Sequence, residues 1–133
     1  MIKTLQITEK EAWDLAFNAL VNNQTSEANA KEVADALVSA EFDGQSGHGL
    51  SRVPSYVEQL TAGKVKGAEA PSVISSKGSV IRVDAKNGFA YPAISLALKE
   101  VTTASKQFGI AAASISRSHH FGQAGRHVEI LAE

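Results

Sequence analysis

The hydrophobic period first changes near residue 70, and that change restricts what the chain can fold into more than any single motif does. Up to Gly63 apolar residues recur three and four apart, the spacing of one helix face, whereas beyond Pro71 they first alternate with polar ones, the spacing of a half-buried strand. Thr8 and Glu11 form a capping-box pair ahead of Ala12, Leu15, Ala16, Ala19 and Leu20, which places a first helix up to Asn22. A second helix opens at Thr25 or Ser26, carries Ala30, Val33, Ala34, Leu37 and Val38 on one stripe, and stops at a left-handed Gly44. The two make a helical hairpin. GQSGHG at 44–49 follows, and Val53, Val57 and Leu60 then define a third helix that begins near His48, holds Pro54 in its first turn and ends at Gly63.

The second half reads as strand, strand, helix, strand, helix. Ser72–Ser75 and Val80–Asp84 flank Lys77-Gly78 as a hairpin, and Asn87-Gly88 marks the next turn. Ala93, Ile94, Ala97, Leu98, Val101 and Ala104 form a helix that runs to Gly109. Ile110–Ile115 is a strand of small apolar residues, expected to be buried on both faces. After the turn SRSHHFG, residues Gln123–Glu133 return to helical spacing and reach Glu133 without a Gly or Asn cap. So few strands leave sheet edges that another element must cover, so the reading is a fragment or a subunit completed by another chain. Trp13 and the five Phe are expected in the core.

Composition removes several function classes. Thirteen Lys and Arg against fourteen Asp and Glu leave a formal charge of −1, with no net field to draw the chain onto nucleic acid or anionic lipid. With no cysteine there is no disulfide framework, thiolate metal site or cysteine nucleophile, and this usage suits a reducing, cytoplasmic compartment. No apolar run approaches the ~18 residues of a membrane span.

Two places can carry chemistry. His48 and Arg52 are four apart, so on a helix both rise from one face, a proton-exchanging imidazole beside a guanidinium able to grip a carboxylate with two parallel hydrogen bonds. The same pair would equally suit a solvated helix face. His119 and His120 sit in a turn after an apolar strand, where α/β proteins place ligands, and neighbouring side chains in an extended turn diverge, which argues against a shared metal. They also suit a turn whose histidines are satisfied by water or backbone. Neither glycine cluster has the dinucleotide-binding order after a strand, and Ser118, His120 and Asp84 lack the G-x-S-x-G elbow of a hydrolase.

Three ordered stretches, DGQSGHGLSRVPSYVEQLTAGKV, VIRVDAKNGFAYPAISLA and SISRSHHFGQAGRHVEILAE, resemble the type 2 malate/L-lactate dehydrogenase family with its sulfolactate, ureidoglycolate and diketogulonate relatives. The resemblance covers essentially the whole chain. It implies an α/β, malate/L-sulfolactate dehydrogenase-like fold, with residues 1–70 as the helical part of a substrate and dimer domain and 71–133 as the beginning of a mixed-sheet, non-Rossmann nicotinamide domain. It further implies NAD or NADP as cofactor, a small 2-hydroxy or 2-keto acid as substrate, and a homo-oligomer or companion chain. His48 and His120 both occupy positions given acid/base roles in such enzymes, Arg52 that of the carboxylate-binding arginine, and Ser118 a place near substrate or cofactor. The family's serine before the first histidine is Gly47 here, so any hydrogen bond that serine supplies is missing unless Ser46 provides it.

Overall fold

Residues 5–133 are described by a computed structural model. Helix α1 (Glu9–Val21) starts on the expected capping box: Thr8 Oγ1 accepts from Glu11 N–H while Glu11 Oε2 accepts from Thr8 N–H at 2.7 Å. Helix α2 (Glu27–Phe42) opens on Ser26, whose hydroxyl accepts from Asn29 N–H, and the chain turns away at Gly44 with φ +70°. Each cap stabilises its helix by about 1 kcal/mol. Ala16 and Leu20 of α1 meet Ala30, Val33, Ala34 and Leu37 of α2 in a core that also takes Val53, Tyr56 and Leu60 from helix α3 (Val53–Thr61).

Asn29, buried on α2, donates its amide to the Gly67 and Glu69 carbonyls at 2.7 and 2.9 Å, so the irregular segment after α3 is pinned to the helical hairpin before the first strand begins. Strands β1 (Ser72–Lys77) and β2 (Val80–Asp84) form the expected antiparallel hairpin around Gly78 at φ +60°. Helix α4 (Ala90–Phe108) ends at a left-handed Gly109 and returns the chain to β3 (Ala112–Ser116), which pairs parallel to β2, as a strand-helix-strand crossover requires. The sheet is mixed, in the order β1-β2-β3. Ile81, Val83 and Ala85 pack on Ala93, Ala97 and Ala104 of α4 as a second cluster, while Phe89 and Tyr91 at the start of α4 belong to the first.

Two expectations are corrected. Strand β3 is not buried on both faces: it lies at the sheet edge, and Ala112, Ala113 and Ser114 are exposed because the described residues supply no layer beyond it. Of the aromatic residues expected in the core, Phe89 is buried, Trp13 and Phe17 stack half-buried at 4.7 Å, and Phe42, Phe108 and Phe121 are exposed. Trp13 stays at the rim because its indole N–H donates to Asp35 at 2.7 Å. Helix α5 (Ala124–Ala132) likewise has no buried residue and shows Val128, Ile130 and Leu131 to solvent. Among the described residues no helix is long and apolar enough to cross a membrane.

Candidate active site

Parallel pairing of β2 with β3 sets Asp84 beside Ser116, and this register aims the following loop back across the helices. Arg117, at φ +51°, forks its guanidinium onto Asp84, with Nε donating to Oδ1 at 2.9 Å and a terminal nitrogen donating to Oδ2. The guanidinium, aided by the Lys86 N–H, holds the Asp84 carboxyl down at about 2. From that anchor the His119 N–H reaches the Gly88 carbonyl, and the loop lays its two histidines against α3 and the first turn of α4.

The histidines diverge as the turn geometry predicts, but neither is left to solvent. His119 Nε2 lies 2.7 Å from Gln59 Oε1, and its ring stands edge-on to Tyr56 and Phe89 at 5.0 and 5.7 Å. An amide oxygen only accepts, so Nε2 carries the proton. Burial, with smaller contributions from His120 and Lys64, lowers the His119 pKa to about 4. It is a packed neutral residue, which replaces the expectation of a turn histidine held by water. Because the unfolded chain binds this proton near pH 6.5 and the folded chain only near 4, the stabilisation is full above 6.5 and is lost as pH falls through 4. Urea unfolding should therefore show wild type losing about 2 kcal/mol more than His119→Gln between pH 7.5 and pH 4, after allowance for partial solvent exposure. Equal losses in the two proteins would remove His119 from the acid response.

His120 turns the other way. Its Nδ1 lies 3.1 Å from Tyr56 Oη, and Tyr56 Oη lies 3.2 Å from Tyr91 Oη. Both tyrosines are 2% exposed, and burial pushes both phenol pKa values up. The His120 ring stacks on His48 at 5.4 Å with 9° between planes, and its pKa is lowered by burial first and then by Arg52 and His48. Both rings line an open cleft of about 630 Å³ whose remaining wall comes from Asp43, Gln45 and residues 121–125.

His48 and Arg52 are near each other but not on one α-helix face. They lie on successive 3-10 turns, Ser46–His48 and Leu50–Arg52, because Gly49 interrupts the spiral and the Glu41 carboxylate takes the Leu50 N–H at 2.7 Å to start the second turn. A Cβ at residue 49 would overlap that carboxylate, so any side chain there would have to displace Glu41. Arg52 Nε donates to the Gly47 carbonyl at 2.6 Å, and among the described residues no carboxylate pairs with its guanidinium. Among the described residues His48 Nδ1 is buried without a hydrogen-bond partner, so Ser46 supplies none to this nitrogen. Ser118 is exposed, donates to the His119 carbonyl at 3.1 Å, and is not on the cleft wall.

Sequence reasoning missed Tyr56, Tyr91, Gln59 and Gln123. One signal was present: Val53, Tyr56 and Leu60 share the buried stripe of α3, and a tyrosine there needs a partner for its hydroxyl.

The family described as malate/L-lactate dehydrogenase matches residues 7–133. Among curated proteins the chain is 44% identical over 126 residues, 95% of its own length, to the (2R)-3-sulfolactate dehydrogenase (NADP(+)) of Chromohalobacter salexigens. It is 40% identical over 108 residues, 81% of its length, to a Delta(1)-pyrroline-2-carboxylate/Delta(1)-piperideine-2-carboxylate reductase of Pseudomonas putida. Among solved structures, the delta1-piperideine-2-carboxylate reductase of Pseudomonas syringae aligns with a TM-score of 0.89 at 34% identity, covering 96% of this chain and 38% of that one. The chain spans 38% and 32% of the lengths of the two curated relatives.

Proposed function

The chain belongs to the malate/L-lactate dehydrogenase family, and from that premise we propose that it serves an NAD(P)-dependent oxidoreductase interconverting a small 2-hydroxy acid and its 2-keto acid. The observation that carries this reading is the pair of stacked imidazoles on the cleft wall within electrostatic reach of a guanidinium that, among the described residues, pairs with no carboxylate. Arg52 is assigned to the substrate carboxylate, and His120, with His48 as the other candidate, to the proton exchanged with the substrate oxygen. The names of the relatives suit this division, since sulfolactate and the cyclic imino acids all carry a carboxylate next to the carbon that changes oxidation state.

Two features of the cleft suit a nicotinamide dinucleotide. Among the described residues Gln123 Oε1, on its wall, is a buried acceptor without a partner, and α5 starts beside it with no side-chain cap on its N–H groups, a setting that favours hydroxyl or amide donors and anionic oxygens respectively. Gln123 and residues 124–125 would hold the cofactor, and Ser118, two residues past β3 and off the cleft wall, is assigned as a further contact on the family resemblance alone. When bound, the cofactor supplies or accepts the hydride. This chain's residues align the acid, move the proton and narrow the access of water.

Residues 1–70 are assigned to the substrate and dimer domain and 71–133 to the start of the nicotinamide domain. The open edge of β3 and the apolar face of α5 favour a second reading, an interaction subunit without catalysis whose exposed surface is covered by another copy or a companion chain. Fluorescence titration with NADH and NADPH, run beside sedimentation at low concentration, separates the two. The dehydrogenase reading expects saturable binding of one cofactor; an assembly that sediments as an oligomer and binds neither would leave the interaction subunit.

A further inference from the structure

We propose that Tyr56, braced by Tyr91, is the positioning residue that tethers His120 at Nδ1 and so leaves Nε2 as the nitrogen that exchanges protons in the cleft. The inference rests on the reading of this cleft as a dehydrogenase site, but its physical content is the three-membered chain Tyr91 Oη, Tyr56 Oη, His120 Nδ1, with links of 3.2 and 3.1 Å.

Burial keeps both phenols protonated, so each hydroxyl can donate one hydrogen bond and accept another. The chain can therefore run in either direction. When Nδ1 carries a proton, it donates to Tyr56, whose own hydroxyl donates to Tyr91. When Nδ1 is bare, Tyr91 donates to Tyr56 and Tyr56 donates to the ring. His120 keeps its tether in every protonation state, and Nε2 gains or loses a proton without the ring turning.

Three neighbours show that the tether is particular to His120. His119 is committed to Gln59, and the Nδ1 of His48 has no partner. Gly122 closes over the far end of the chain: a Cβ there would stand 2.6 Å from Tyr91 Oη, and the residue's φ of +73° favours glycine as well. The charged and titratable groups facing His120 are His48 and Arg52 from the two 3-10 turns, Asp43 across the cleft at the end of α2, Tyr56 from α3 and His119 from its own loop. Both Arg52 and His48 disfavour its imidazolium, which makes the neutral acceptor at Nδ1 the compensating contact.

The test is Tyr56→Phe in the 133-residue chain, read by nitrogen NMR of the imidazole rings across a pH titration. Phenylalanine keeps the ring that packs on Phe89 and His119 and deletes only the hydroxyl. A hydrogen bond to a charged imidazolium is worth more than one to the neutral ring, so the His120 pKa should fall by about one, a roughly tenfold change in proton affinity, while His48 moves much less. Tyr91→Phe should shift His120 in the same direction by a smaller amount, and it carries the test should Tyr56→Phe fail to fold. A folded Tyr56→Phe whose His120 titrates as in wild type overturns the tether, whatever the chain binds. A shifted His120 beside an assembly that binds neither NADH nor NADPH supports the tether and overturns the dehydrogenase reading instead.

Discussion

His120→Ala, measured in an assembly that turns over, should lower kcat by about 10²- to 10⁴-fold, the usual cost of removing an acid/base group, with little change in unfolding temperature. His119→Ala should do the reverse. His120 lines the cleft, stacks on His48 and is held at Nδ1, so on the proposed reading its loss removes the proton carrier while the rest of the cleft wall stays in place. His119 faces the other way, into Gln59, Tyr56 and Phe89, and its removal leaves a hole and an unpaired amide oxygen at the joint between α3 and α4. That costs roughly 1–3 kcal/mol of stability. Circular dichroism melts and steady-state rates on both variants, with His48→Ala beside them, decide the assignment. Should His119→Ala remove turnover in a folded protein, the reading of the loop is wrong. Should only His48→Ala matter, His120 positions and His48 carries the proton.

If Arg52 clamps the substrate carboxylate as proposed, Arg52→Lys in a complete, active assembly should raise the KM for the keto acid by about tenfold to a hundredfold while the affinity for the nicotinamide changes little. One edge of the guanidinium is already used: Nε is held by the Gly47 carbonyl at 2.6 Å, which fixes the plane of the group and leaves its terminal nitrogens to meet a carboxylate. A lysine ammonium keeps the charge but has no planar fork and no Nε to hold, so it loses about one charge-assisted hydrogen bond of 1.5–3 kcal/mol and its alignment. Substrate saturation curves for the two proteins check this. An unchanged KM removes Arg52 from the carboxylate site.

Most of the element order was legible because it rests on local causes. The Thr8–Glu11 box, the Ser26 cap and the left-handed glycines at 44, 63, 78 and 109 each act within a few residues, and each appears where the sequence places it. The same locality misled the reading at residues 48–52. Spacing alone supports one α-helical face, but the segment splits into two 3-10 turns because a carboxylate from α2, nine residues away from Leu50 in the chain, takes its N–H. Nor could strand β3 be judged from its composition, since small apolar residues look the same whether a sheet continues beyond them or stops.

The candidate site divides along the same line. Residue types and spacing alone offered an imidazole, a guanidinium and a histidine pair at a strand end, because reactive groups are properties of single residues. Which histidine faces a cleft, which is packed and neutral, and which nitrogen is tethered depend on partners 60 and 64 residues away at Gln59 and Tyr56. Only tertiary structure decided those, because hydrogen bonding and desolvation act through space, and the parallel register of β2 and β3 brings the 117–123 loop onto α3.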